Sequence, residues 1–184
     1  MHHSSPPPVF ENRYDAGRKL AERLSDYKSK SAIVLAIPNG GVSVALGVAL
    51  TLDADLNLII SRKIPLPLSP EGGFGAVTDD GTLILNEDIV KKNNLSPDQI
   101  NYQVAQVRKN IRQRSLLYHK DLPPPVVTGK TVIVVDDGLA SGYTMMAAVE
   151  SVRKRHPKEI IVAVPVVSAM ALKEVTKRAR VITC

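Results

Sequence analysis

Apolar and polar positions alternate along this chain in two rhythms. Short, continuously apolar runs stand at Ala32 to Ile37, Leu56 to Ile60, Thr131 to Val135 and Ile160 to Pro165, with a last one at Val181 and Ile182. Runs of this length with no polar alternation are what strands buried on both faces of a parallel sheet look like. Between them lie segments whose apolar residues recur at helical spacing. These are Asp15 to Leu24 (Ala16, Leu20, Leu24), Val42 to Leu52, a long stretch from Ser96 to about Tyr118, Thr144 to Arg155, and Ala169 to Arg178. Asp15 is placed to cap the first helix, and Ser96 followed by Pro97 to open the long one.

Strands alternating with helices predict an α/β fold: a parallel twisted sheet covered by helices on both faces. The punctuation fits. Pro38-Asn39-Gly40-Gly41 ends the first apolar run with a strong turn signal. Arg62 to Gly75, rich in Pro and Gly, reads as a loop, and Asp79-Asp80-Gly81 reads as the turn of a hairpin between Ala76–Thr78 and Thr82–Leu85. Residues 1–12 read as a flexible tail, 13–184 as one domain, and Pro123 to Pro125 as a stiff connector. In open parallel sheets ligands bind beyond the carboxyl ends of the strands. That points to the loops after Ile37, Ser61 and Val135.

Composition narrows the function more than the fold. The 184 residues are 44% hydrophobic, with no Trp and only two Phe, so the core is aliphatic. A stacking surface for single-stranded nucleic acid needs aromatics, and nucleic acid is not the expected partner. The net charge of +6 favours an anionic ligand. The basic clusters Arg108–Lys120, Arg153–Lys158 and Lys173–Arg180, however, fall in helical segments and read first as solvated faces. Arg108, Arg112, Arg114 and Tyr118 share one helix and are read as a solvated or subunit-contact face, which leaves a homodimer open. The single cysteine, Cys184, builds neither a disulfide framework nor a metal cluster, and His2 and His3 sit in a Ser/Pro-rich start. No apolar leader or span is visible in the sequence, so the cytoplasm is the expected location and no membrane partner is expected.

The candidate chemistry concentrates in Val132 to Met145, VIVVDDGLASGYTM. Asp136 and Asp137 follow a buried strand, where two adjacent carboxylates are desolvated and repel one another. Vicinal ribose hydroxyls would offset that cost. Gly138, Ala140, Ser141 and Gly142 keep side chains small, Ser141 and Thr144 offer hydroxyls, and the following helix offers its first amides to an anion. One short segment therefore combines a diol clamp with a phosphate cradle.

This segment resembles the phosphoribosyl-diphosphate motif of type I phosphoribosyltransferases: an apolar strand, two acids, two small or apolar residues, then a Ser/Thr-Gly-x-Thr loop. Asp15-Ala16-Gly17, Ile37 to Val42, Arg62-Lys63-Ile64 and Gly75-Ala76-Val77 extend the resemblance to a branch of uncharacterised phosphoribosyltransferases, from about Phe10 to Cys184. The resemblance implies that Asp136 and Asp137 hold the ribose hydroxyls and that Ala140, Ser141, Gly142, Tyr143 and Thr144 hold the 5-phosphate. It implies a pyrophosphate site of Asn39, Gly40 and Gly41 with Arg62 and Lys63, and a mobile loop over residues 64–75 that closes on the site. Lys63 and Asp137 are then the catalytic candidates, with Glu71 a weaker one. Phosphoribosyl diphosphate is the implied donor, a nucleobase-like nitrogen the acceptor, and Mg²⁺ the cofactor, held mainly by substrate oxygens with Asp136 as the candidate protein contact rather than in a dedicated cage.

Two positions depart from the pattern. Where the branch carries Pro-Arg-Gly-Gly, this chain carries Asn39, and losing a charge-assisted bond to an anion can cost about 1.5–3 kcal/mol. Where the 6-oxopurine salvage enzymes place a carboxylate, it carries Ala140, which argues against hypoxanthine or guanine transfer with that base. Val164 to Val167 is the candidate acceptor side. A domain that binds phosphoribosyl diphosphate or a nucleotide as a signal, without turnover, is the alternative. Gly129-Lys130-Thr131 is not a nucleotide-triphosphate loop, because Pro124 stands where its first glycine should be and a strand follows rather than precedes it.

Overall fold

A computed structural model describes residues 9–28, 31–118 and 125–184. His2 and His3, Lys120, Pro123 and Pro124, and most of the expected tail lie outside the described residues. Within the described residues, eight strands and six α-helices follow in the order α1 (Arg13–Glu22), β1 (Ala32–Ala36), α2 (Gly40–Leu52), β2 (Asp55–Leu58), β3 (Ser61–Leu66), β4 (Ser69–Thr78), β5 (Leu83–Leu85), α3 (Glu87–Lys92), α4 (Pro97–Tyr118), β6 (Thr131–Val135), α5 (Tyr143–Arg153), β7 (Glu159–Ala163), α6 (Ala169–Val175) and β8 (Arg180–Ile182). No helix among the described residues is long and apolar enough to cross a membrane.

Five strands form an all-parallel sheet in the order β2-β1-β6-β7-β8. Alternation within each strand sends side chains to opposite faces. Val34, Ala36, Ile133 and Val135 meet α1 and α2 through Leu20, Leu24, Val44 and Val48. Ile33, Leu35, Val132 and Val134 meet Met145, Val149 and Val152 of α5 and Val175 of α6. Helices thus cover both faces, as the apolar runs predict. From β1 the chain runs by α2 to β2; from β6 it runs by α5 to β7, on the other side. The loops after β1 and β6 therefore diverge, and the crevice between them is the sheet's topological switch point.

A second, antiparallel sheet of β3, β4 and β5 packs against α4 through Ile60, Ile64, Phe74, Val77, Val104, Val107 and Ile111. The loop expected over Arg62 to Gly75 is thus mostly paired strand, a hairpin turning at residues 67–68. Pro and Gly were misleading signals for physical reasons. Pro65 sits where the β3–β4 register shifts, a place that tolerates a missing N–H. Gly75 is needed because a Cβ there would fall 2.3 Å from the carbonyl of Ile84 on β5. The expected hairpin around Asp79-Asp80-Gly81 is present, joining β4 to β5. Another correction concerns α1. Its cap is Asn12, whose side chain accepts from the Asp15 amide, while Asp15 sits inside the first turn and accepts from the Glu11 amide. Ser96 and Gln99 do form the reciprocal cap expected for α4.

Helices α1 and α2 cross at glycines. A Cβ on Gly17 would lie 2.1 Å from the carbonyl oxygen of Val44, and one on Gly47 would lie 2.6 Å from that of Tyr14. Both neighbours are backbone and cannot swing aside. In an unpacked helix Gly→Ala stabilises by about 1 kcal/mol. Here Gly17→Ala and Gly47→Ala should instead each lower unfolding stability by about 1–3 kcal/mol, measured by urea denaturation. Variants as stable as the parent would refute the close-crossing account.

Candidate active site at the β1–β6 switch point

Three segments converge at the crevice. The first is the strand end Asp136-Asp137. Asp136 is largely buried, and its Oδ1 accepts the amide of Asp137 at 2.8 Å. The second is the β1–α2 turn, Asn39 to Gly41, entered by a cis Pro38–Asn39 peptide. It lies directly on the first. A Cβ on Gly40 would fall 2.1 Å from Oδ2 of Asp137, and one on Gly41 would fall 2.8 Å from the carbonyl of Val135. Only glycine permits that approach.

The third segment is the loop from Gly138 into α5. Gly142 precedes the helix with φ of 80°, a left-handed conformation that favours glycine. No side chain caps the helix. Its first amides are the ones a helix leaves without internal partners. The loop is held from behind. Leu139 bridges to Val167 and donates to the carbonyl of Val166, and the hydroxyl of Ser168 donates to the carbonyl of Ala140 at 2.6 Å. Ser168 also caps α6 by accepting the Ala171 amide. Ser141 stays exposed, with Thr144 half-buried at the helix start.

Sequence reasoning missed Arg13. From the start of α1 its Nε reaches Oδ2 of Asp137 at 2.9 Å. No motif announced it; the contact depends on the Gly17–Gly47 crossing, which holds α1 across α2. Tyr118 was likewise read as part of an outward face. Its hydroxyl instead donates to Oδ1 of Asn39 at 2.7 Å.

Arg62 and Lys63 do not act from one side. Neighbouring strand residues face opposite ways. The buried hydroxyl of Ser61 donates to the carbonyl of Thr144 at 2.8 Å, and Lys63 shares that face of β3. The ammonium of Lys63 donates to the carbonyl of Glu71 within the hairpin at 2.6 Å. Arg62 lies on the other face, between Ile60 and Ile64, towards α4. Glu71 therefore enters through its backbone.

Burial, with the charge of Asp137 beside it, pushes the carboxyl of Asp136 up to about 7, against the pull of the Asp137 amide. Far from the crevice, burial also acts to raise Asp80, but bonds from Thr78, Thr82 and Ser151 overcome it and hold that carboxyl at about 2. Among the described residues no three His, Cys, Asp or Glu side chains converge on a metal position. The carboxylates at hand in the crevice are Asp136 and Asp137.

A family model described as a phosphoribosyl transferase domain matches residues 10–184. Two curated proteins of Mycobacterium tuberculosis, from strains CDC 1551 / Oshkosh and ATCC 25618 / H37Rv, each provisionally named a phosphoribosyl transferase, are 35% identical over 158 residues. Those matches cover 86% of this chain but 36% of each relative, so the chain spans little more than a third of their length. Among solved structures, the protein TT1426 from Thermus thermophilus superposes with a TM-score of 0.78 at 34% identity, covering 95% of this chain and 83% of that one. A purine phosphoribosyltransferase from Pyrococcus horikoshii Ot3 shares the fold, with a TM-score of 0.52 at 20% identity, covering 88% and 79%.

The raised Asp136 carboxyl has a measurable consequence. Its folded value stands above the ordinary 3.8. Between these two values the folded chain therefore binds a proton that the unfolded chain has released. Stability from this group is complete below about pH 4 and is lost as pH rises through about 7. Asp136→Asn keeps the acceptor for the Asp137 amide and cannot ionise. Its melting temperature relative to the parent should be higher at pH 8 than at pH 5. An equal difference at both pH values would show that Asp136 ionises normally.

Proposed function

The chain belongs to the phosphoribosyl transferase domain family, and on that premise we propose that it transfers ribose 5-phosphate from phosphoribosyl diphosphate to a nitrogen of a nucleobase-like acceptor, releasing pyrophosphate. The observation that carries this reading is the packing of Gly40 and Gly41 onto Asp136 and Asp137, beside the uncapped start of α5. In it, Asp136 and Asp137 hold the ribose hydroxyls. Ala140 to Thr144 hold the 5-phosphate through backbone amides and the hydroxyls of Ser141 and Thr144. Pyrophosphate lies against the amides of Asn39, Gly40 and Gly41. Lys63, on the face of β3 that Ser61 ties to α5, reaches it by leaving Glu71.

The acceptor nitrogen's lone pair forms the bond to ribose C1 as the bond from C1 to the pyrophosphate oxygen breaks. That electron pair departs on pyrophosphate, and the acceptor's proton passes to solvent, since Ala140 offers no carboxylate to receive it. Charge grows on the leaving group, so Lys63 and the turn amides act where stabilisation counts most. Bound Mg²⁺ would neutralise part of the pyrophosphate charge, taking substrate oxygens and water with Asp136 as its protein contact. Exposed Val166, over Gly138, and Met170 offer an apolar surface to a planar acceptor. Chemistry on such charged metabolites fits a cytoplasmic setting.

The test is release of pyrophosphate from phosphoribosyl diphosphate and Mg²⁺ across a panel of nucleobases. Lys63→Ala should lower kcat/KM roughly a hundredfold, the usual cost of losing one group that stabilises developing charge. Asp137→Asn should cost about tenfold or more. Tight donor binding with no turnover on any base would replace the transferase with the signal-binding reading.

A further inference from the structure

Arg108 and Arg112, read from the sequence as part of an outward face of α4, border a cavity of about 390 Å³. Its other walls are Ile111 and the β4–β5 turn, residues 78–81, none of which lines the crevice at the β1–β6 switch point. The volume falls within the range of small-molecule sites, roughly 300–1,000 Å³. Positions 108 and 112 are one helical turn apart and share a face. Packing of Val107 and Ile111 against the antiparallel sheet fixes where the two arginines stand. The acids beside them are committed elsewhere. Asp80 accepts the hydroxyls of Thr78 and Ser151 and the amide of Thr82, and Asp79 accepts the amide of Asp80. Among the described residues no ion pair joins Arg108 or Arg112 to a carboxylate. Arg108 makes one long bond, from Nη2 to the carbonyl of Gly81 at 3.4 Å, and the guanidinium of Arg112 makes none among the described residues. From the α5 side Lys154 donates to the hydroxyl of Thr82 at 2.7 Å, so cations flank the turn on both sides.

We propose that Arg108 and Arg112 form, with the β4–β5 turn, a second anion site that takes the phosphate group of a small phosphate ester. The site stands independently of the transferase reading, because it shares no residue with the crevice. A phosphate monoester carries a charge of about −1.5 to −2 near neutral pH, so one group can meet both guanidinium charges. Its several acceptor oxygens suit two guanidinium forks one helical turn apart. The cavity is larger than a phosphate group alone. Ile111 is the one apolar side chain among its walls and is only 2% exposed, whereas the Asp79 carboxylate and the Gly81 carbonyl are acceptors. The rest of the ligand is therefore one that carries hydroxyls rather than a planar apolar ring.

Glycerol 3-phosphate, a phosphate ester bearing hydroxyls, tests this when titrated into the isotope-labelled full chain and followed by amide NMR shifts. The amides of Asp80 and Gly81 and those of residues 108–112 should move along one saturating curve. Arg112→Gln should raise the dissociation constant read there by about tenfold or more, the loss expected for a charge-assisted contact. Arg108→Gln should do the same. Lys109→Gln removes an exposed charge that does not line the cavity and should leave the constant unchanged. Glycerol without the phosphate should not move these amides. Both arginines are exposed, so the variants should fold, and the dispersion of the same spectra checks that they do. Shifts confined to residues 138–144 would assign the binding to the crevice and overturn the proposal. So would the absence of a saturating shift at Gly81, or an unchanged constant in Arg112→Gln. Equal weakening by Lys109→Gln would also overturn it, since that is diffuse attraction to a basic surface and not a site.

Discussion

The turn between β1 and α2 lies so close to the end of β6 that a methyl group at residue 40 would fall 2.1 Å from the carboxylate of Asp137. The rest of the crevice follows from that approach. Sheet topology brings the two loops side by side but does not fix how near they come. Gly40 and Gly41 do, by removing the side chains that would hold the segments apart. The consequence is a backbone surface rich in N–H groups set against two carboxylates, with an uncapped helix on the far side. Donors and acceptors thus stand side by side in one crevice.

Two adjacent carboxylates at the end of a buried strand are costly, and the structure shows where the cost is met. Arg13 offsets the charge of Asp137 from an exposed position, a contact screened by water and salt. Asp136 is too buried for that remedy and is instead pushed towards its protonated form. The net charge of +6 draws an anion to the surface, but distribution matters more than the sum. Burial, with the charge of Arg114 beside it, lowers the pKa of the Arg62 guanidinium, whereas Arg153, Arg178 and Lys177 find Glu150 and Glu174.

Sequence legibility followed the same physical division. Buried parallel strands write themselves as apolar runs, so the five-stranded sheet and its covering helices were readable. Asp136 to Thr144 stood out as a candidate because one continuous segment holds the acids, the small residues and the hydroxyls. Contacts made between distant segments left no local signal. Arg13 reaches Asp137 across 124 positions, and Tyr118 reaches Asn39 across 79. The hairpin was misread because Pro65 and Gly75, ordinarily breakers, serve a register shift and a close strand approach. Asp15 was misread as a cap because Asn12 lies outside the apolar rhythm that located the helix.

The antiparallel sheet matters to the crevice through two hydrogen bonds at opposite ends of α5. Ser61 binds the carbonyl of Thr144 at the helix start, and Ser151, near its end, binds Asp80 in the β4–β5 turn. Asp80 is held ionised by that bond and those from Thr78 and Thr82, so the second tie is charge-assisted. With these bonds at both ends of α5, the antiparallel sheet cannot slide along the helix without breaking one of them. The alternation of β3 then assigns fixed sides: Lys63 to the α5 side, Arg62 to α4. Two adjacent basic residues that look interchangeable in sequence are thus held on opposite faces of one strand. That division depends on the hairpin being paired strand and not loop. A loop would leave either side chain free to turn to one side, whereas a strand in fixed register keeps the two on opposite faces.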